Sequence, residues 1–288
     1  MALHNAAIQN GDAIVQLRDR LATAQPGRLT DTVRCVLEHV FAVIEELAIT
    51  AEELDALISF LTDVGEATDA RRQEWVLMAD VLGLSAHLCE RDQNERDQST
   101  PSVLRGPFYR ADAPHLPLGA DLSRDGLGTP MSVTLRLTDT LGHPIPEAEV
   151  EVWHANSKGR YENQDPDEQP EHNLRGRFRA GAAGQVMFRS IRPRGYRLPD
   201  DGPVGRLARA LGLSLDRPAH IHVAVTAPGF RPLTTAIFDR ADPMIGQDAL
   251  YSVKPELLGD FRALPGGCHL DAVLVLTPIS TVTSKRKG

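Results

Sequence analysis

Cysteine is scarce in these 288 residues: Cys35, Cys89 and Cys268 are odd in number, far apart, and form no C-x-x-C pair. That spacing argues against a disulfide framework or a thiolate metal site, and all three are expected to be buried thiols. An excess of positive charge is also missing. With 31 Lys and Arg against 39 Asp and Glu the formal net charge is −8, and no basic stripe reverses it, so nucleic acid is not expected as a partner. No run approaches the roughly 20 apolar residues of a membrane-spanning helix. The opening residues lack a basic start followed by an apolar core, so no secretory leader is expected and the cytoplasm is the expected location. The basic end TSKRKG reads as a frayed terminus. Tyrosine occurs four times, which makes the placing of each one informative.

The apolar positions Leu29, Val33, Val36, Leu37, Val40, Phe41, Ile44 and Leu47 recur at helical spacing. Thr50 and Glu53 form a capping box that opens a second helix through Leu54, Leu57, Ile58 and Leu61, closed by Gly65. A third helix is expected from Thr68 to about Leu88, its run Trp75 to Leu84 apolar nearly all round and therefore buried on more than one side. Residues 1–95 thus read as a helical dimerisation and linker module. The polar run CERDQNERDQSTPS follows, and beyond it the apolar period becomes twofold. Strands fit Val133 to Leu137, Ala148 to Trp153, Val186 to Ser190, His220 to Val225, Thr234 to Phe238 and Asp271 to Leu276. Residues 96–288 are expected to form an antiparallel β-sandwich, the catalytic part of a mainly β protein with a helical N-terminal region.

His220 and His222 stand two apart on one of these strands, so both project from one face while Ile221, Val223 and Val225 take the other. An isolated H-x-H is more often a solvated strand face than a ligand pair. Two of the tyrosines stand in similar loop settings, Gly159-Arg160-Tyr161 and Arg194-Gly195-Tyr196. Each alone is a packing residue more often than a ligand, but two phenolates with two imidazoles make a set suited to a hard trivalent ion such as Fe(3+).

The motifs Gly106-Pro107-Phe108-Tyr109, Val152-Trp153-His154-Ala155-Asn156, Asn173-Leu174-Arg175-Gly176-Arg177, Asp201-Gly202-Pro203-Val204-Gly205 and Arg217-Pro218-Ala219-His220-Ile221-His222 resemble those of the intradiol ring-cleaving dioxygenases, the catechol and hydroxyquinol 1,2-dioxygenase group. The resemblance spans roughly residues 30–280. It implies a non-haem iron(III) enzyme that inserts both atoms of O2 between the two hydroxylated carbons of an aromatic diol. By the same resemblance Tyr161 and His220 are equatorial ligands, and Tyr196 and His222 axial ones. The incoming diol displaces Tyr196, whose phenolate then accepts a proton. Arg217 is placed over the substrate ring, where a fixed cation stabilises developing negative charge; otherwise it is a surface salt bridge. Gly106, Pro107, Phe108 and Tyr109 are expected in the pocket wall, and Trp153 and His154 as supporting or packing residues. A homodimer through the helical module is implied, with a hydrophobic tunnel able to hold a lipid.

The choice of diol rests on the wall. Leu77 and Asp80 share a helix face, and a carboxylate in that apolar run needs a partner. A third substrate hydroxyl would provide one, as would a helix-to-sheet hydrogen bond or ion pair. With Thr234-Thr235-Ala236-Ile237-Phe238 this favours hydroxyquinol, giving 3-hydroxy-cis,cis-muconate or maleylacetate. VWHANSKG favours catechol or chlorocatechol, giving cis,cis-muconate. Two other classes stay open: a non-enzymatic β-sandwich binding module, and a zinc or copper hydrolase, for which neither a nearby Cys or carboxylate nor an H-E-x-x-H helix is present.

Overall fold

In the computed structural model, residues 13–69, 72–94 and 98–279 are described. The first twelve residues, part of the polar run after the third helix and the basic end TSKRKG lie outside them. The elements run α1 Ala13–Ala22, α2 Arg28–Leu47, α3 Ala51–Glu66, α4 Glu74–Val81, α5 Leu84–Asn94, β1 Pro130–Asp139, β2 Glu149–His154, β3 Arg175–Arg179, β4 Gln185–Ile191 and β5 Tyr196–Arg197. They continue with α6 Pro203–Leu211, β6 Asp216–Arg217, β7 His220–Thr226, β8 Leu233–Asp239, β9 Leu258–Gly259, β10 Arg262–Leu264 and β11 Gly267–Leu276.

The chain divides into compact units at Asp63, so α4 and α5 belong with the sheets rather than with the helices before them, whereas the change of composition comes near residue 95. Within residues 13–63, α2 ends in a left-handed Ala48. The capping box then starts α3: Thr50 N–H donates to Glu53 Oε2 at 2.9 Å and Glu53 N–H to Thr50 Oγ1 at 3.2 Å. The apolar stripes of the two helices, including Val40, Val43, Leu54 and Leu57, remain about half exposed and border a groove of about 600 Å3. Cys35 is exposed on that face and Cys89 partly exposed, so only Cys268 is the buried thiol expected of all three. For Cys35 the reason is that α2 buries no residue within the chain.

The single third helix expected from Thr68 to Leu88 is instead α4 and α5, broken at Gly83, whose φ of 76° suits glycine. Its apolar run is also less buried in this chain than expected: Trp75 and Leu84 are exposed, while Glu74, Asp80 and Val81 are buried. A run that is apolar all round does not reveal which side is covered.

Strict alternation builds the sandwich. On β1, Met131, Val133, Leu135 and Leu137 are buried and the residues between them are not. One sheet has the order β10-β11-β1-β4 and the other β3-β2-β7-β8-β9, and their inner faces share one core. The sandwich is as expected, but the sheets are mixed rather than antiparallel: β1 pairs with β11 in parallel, and so does β8 with β9. A parallel pair needs a long crossover, and here the whole second sheet lies between β1 and β11 in sequence. Among the described residues no helix is long and apolar enough to cross a membrane.

Candidate metal centre

The pattern of β7 dictates where its histidines point. Ile221, Val223 and Val225 are fully buried in the sandwich core, so His220 and His222, both 2% exposed, face the opposite side. The strand is central, flanked by β2 and β8. His220 Nδ1 lies 2.7 Å from the Pro218 carbonyl, which sets it as the donor nitrogen and leaves Nε2 with its lone pair. That Nε2 has no hydrogen-bond partner. The His222 ring lies 4.7 Å from that of His220 and stacks on Trp153 at 4.9 Å with an interplanar angle of 8°.

Both tyrosines arrive as expected, on loops. Tyr161 follows β2 and is 1% exposed; Tyr196 opens β5, paired with Arg217, and is half-buried. Their rings are 5.7 Å apart, and Tyr196 is 5.7 Å from His220, so all four side chains converge. The glycine in each tyrosine motif has a steric purpose. A Cβ on Gly159 would lie 2.7 Å from the Gly195 carbonyl, and one on Gly195 would lie 2.5 Å from that of Arg217.

The electrostatics suit a cation. Burial holds both imidazoles well below the usual histidine range, hence neutral, which is the form that ligates. Burial, and then the neighbouring Tyr196, raises the Tyr161 phenol well above 10, so an ion bound there has to displace a firmly held proton. Tyr161 Oη and His220 Nε2 are buried with no hydrogen-bond partner within bonding geometry. Each such atom costs about 1–3 kcal/mol when left unpaired. Two in one cluster, with a two-phenol, two-imidazole donor set, fit a hard trivalent ion better than zinc.

Beside the cluster lies a cavity of about 340 Å3 bordered by Leu77, Asp80, Pro107, Phe108, Tyr196 and Arg217, among others. Arg217 is 2% exposed, so it is no surface salt bridge; its Nε donates to Asp248 Oδ1 at 3.0 Å. Burial opposes its charge, but Tyr196 and Asp248 hold it protonated. Asp80 is 5% exposed; burial raises its carboxyl, while a hydrogen bond with Ser85 and the charge of Arg217 act the other way. Its protein partners are therefore the hydroxyl of Ser85 on the next helix and the charge of Arg217 on β6. Gly106, with φ of 73°, stands against His222, where a Cβ would come within 3.8 Å of Nε2. Tyr109 packs edge-on against Trp153 and donates its hydroxyl to Glu151 at 2.8 Å. His154 bonds the Ala155 carbonyl and Ser190 through its two nitrogens, which suits a supporting residue.

Two family models match the chain: "Dioxygenase" over residues 104–269 and "Catechol dioxygenase N terminus" over residues 27–100. A hydroxyquinol 1,2-dioxygenase of Rhizobium sp. (strain MTP-10005) is 42% identical, covering 84% of this chain and 82% of the relative. The chain is an intradiol ring-cleaving dioxygenase. Solved structures of this family superpose closely. The hydroxyquinol 1,2-dioxygenase from Pseudomonas putida DLL-E4 gives a TM-score of 0.86 at 29% identity, covering 92% of this chain and 97% of that one. The catechol 1,2-dioxygenase from Acinetobacter sp. ADP1 gives 0.80 at 30%, covering 93% and 92%.

Several supporting residues of this dioxygenase have no mark in the sequence. Asp248, which holds Arg217, carries no local signal. Glu74 is fully buried, pairs with Arg72 and accepts the Val204 N–H at the start of α6 at 3.0 Å, so it ties α4 to α6. Arg175 stands in a motif given no role, and its buried partner Glu162 stands in none of the motifs.

Proposed function

We propose that the chain is a hydroxyquinol 1,2-dioxygenase acting in the cytoplasm, with iron(III) held by Tyr161, Tyr196, His220 and His222. Bound there, ferric iron supplies an electron-accepting centre that activates an aromatic 1,2-diol toward O2. The protein's own groups do the rest. Tyr196 alone of the four is half-buried and borders the cavity, so an entering diol meets it first, and its phenolate can take a diol proton. Arg217 borders the same space as a fixed cation, placed to stabilise negative charge as the ring ketonises. Phe108 stacks on Tyr161 at 4.6 Å and keeps water from that side. Both oxygen atoms of O2 enter the product, benzene-1,2,4-triol becoming 3-hydroxy-cis,cis-muconate, the enol form of maleylacetate.

The observation that carries the choice of diol is Asp80, a buried carboxyl on the cavity wall whose charge is disfavoured by burial. A third ring hydroxyl supplies it with a partner that catechol does not. Hydroxyquinol enzymes among the relatives, 36–42% identical, support the same choice. Catechol is the second reading, favoured by the VWHANSKG segment and by a catechol 1,2-dioxygenase of Candida albicans at 35% identity. The test is kcat/KM for the two diols on iron-loaded protein, with anaerobic absorption spectra of each complex. A higher kcat/KM for hydroxyquinol is expected; equal values, or a preference for catechol, would reject the role of Asp80.

The half-exposed stripes of α2 and α3 suit a contact between two copies, and the groove they border could take an acyl chain. A solution mass of 31.4 kDa, that of one chain, would reject the dimer.

A further inference from the structure

The motif Asn173-Leu174-Arg175-Gly176-Arg177 has no part in the chemistry above, yet it places a guanidinium in the interior. Arg175 is 1% exposed and enters β3 through an unusual turn, in which His172 (φ 57°) and Leu174 (φ 60°) are both left-handed although neither is glycine. Asn173 fastens that turn by accepting the Arg124 N–H at 2.8 Å and donating to Asp125 at 2.8 Å. Gly176 is required beside it, because a Cβ there would lie 2.6 Å from Leu122.

One guanidinium then grips three consecutive residues of the loop that carries a candidate ligand. Its carbon lies 5.7 Å over the Tyr161 ring, its Nε donates to both oxygens of Glu162 at 2.7 and 2.6 Å, and its Nη2 donates to Asn163 at 3.3 Å. Its Nη1 is buried with no partner, so the cation is not wholly occupied by Glu162. A salt bridge serving stability alone has no need to lie over a ligand ring.

We infer that Arg175 is a positioning residue for Tyr161, fixing the ring through Glu162 and Asn163 and setting, by its charge over the ring, how much electron density Tyr161 gives to a bound ion. This rests on the iron reading proposed above. A cation over a phenolate stabilises the ring's π electrons more than it does those of the more distant metal, which widens the gap between them.

The experiment compares wild-type protein, Glu162→Gln, and the double variant Arg175→Met with Glu162→Gln, which removes the pair without stranding a buried charge. Each is titrated with iron under metal-buffered conditions and its visible charge-transfer band recorded. The double variant is expected to lose about 10- to 100-fold in iron affinity, as loss of a ligand's supporting partner does, with its band at longer wavelength. Glu162→Gln leaves the cation less neutralised and is expected to move the band to shorter wavelength. A general loosening of the loop cannot produce opposite shifts. Wild-type affinity and band position in the double variant, or a shift of Glu162→Gln to longer wavelength, overturns the inference. If Glu162→Gln, which strands the buried guanidinium, does not fold, the affinity and band of the double variant decide alone; if the double variant does not fold, the direction of the Glu162→Gln shift decides. A wild-type protein that binds no iron and shows no band defeats the iron reading itself, and this inference with it.

Discussion

Replacing Asp248 by alanine tests whether the cation beside the cavity depends on one carboxylate. Arg217 and Asp248 both have side chains 2% exposed, so solvent does little to screen them. Removing one partner of such a pair leaves an uncompensated buried charge, at about 3–5 kcal/mol. Asp248 also accepts the buried Ser252 N–H at 2.8 Å, and losing that acceptor adds about 1–3 kcal/mol. The sum, about 4–8 kcal/mol, is a large part of the 5–15 kcal/mol that typically separates folded from unfolded chains. Asp248→Asn keeps the shape and one acceptor oxygen, but Arg217 and Ser252 use different oxygens and the guanidinium charge is left unneutralised, so it should cost less than alanine yet still about 3–5 kcal/mol. Urea unfolding followed by the fluorescence of the buried Trp153 gives both values from the shift in midpoint. In the asparagine variant a less firmly held Arg217 should lower kcat/KM for the diol by about 100-fold, the usual effect of a misplacement near 1 Å. An alanine variant within about 1 kcal/mol of wild type would refute the reasoning.

Tyr196→Phe should still bind iron while losing the proton acceptor, so diol binding should release protons with an altered pH dependence and turnover should fall about 100-fold or more; wild-type turnover would remove Tyr196 from that role. Asp80→Leu should lower kcat/KM for hydroxyquinol about 10- to 100-fold, the loss of a hydrogen bond to a charged group, and change that for catechol less than about threefold. A pH effect is expected at His154, which burial lowers from 6.5 to about 4. Between those values the unfolded chain binds the proton and the folded one does not, so the stability is full above pH 6.5 and is lost as pH falls toward 4. At about 1.4 kcal/mol per unit the loss is about 3 kcal/mol. Urea midpoints of metal-free protein at about pH 7.5 and 4.5 should differ more for wild type than for His154→Gln, and equal differences would count against the assignment.

The ligand candidates were legible because their signal is local. An H-x-H on an alternating strand needs no knowledge of the fold to place both rings on one face, and a glycine before each tyrosine marks a close approach of backbones. The residues that support them were not legible, because their partners are remote in sequence. Asp248 finds Arg217 across 31 positions, and Glu74 finds Val204 across 130, with nothing near either carboxylate to announce it. Antiparallel sheets were the natural reading of strands joined by turns, and the parallel pairing of β1 with β11 leaves no trace in either strand's alternation. The break at Gly83 was hidden for the opposite reason: an apolar run all round supplies no phase by which to notice that one helix has become two.

The late arrival of β11 also governs how the chain can be made. Ser132 bonds His269 across 137 positions, so one edge of β1 has no partner until the last strand is synthesised. After β4 ends at Ile191, the ribosome adds 276 − 191 = 85 more residues before β11 is complete. At about 5–20 residues per second, that leaves an open strand edge on the nascent chain for roughly 4 to 17 seconds, a period in which it can pair wrongly. Tyr161, Tyr196, His220 and His222 all emerge within that interval or before it. The four candidate side chains are thus present on a sandwich whose first sheet cannot yet close.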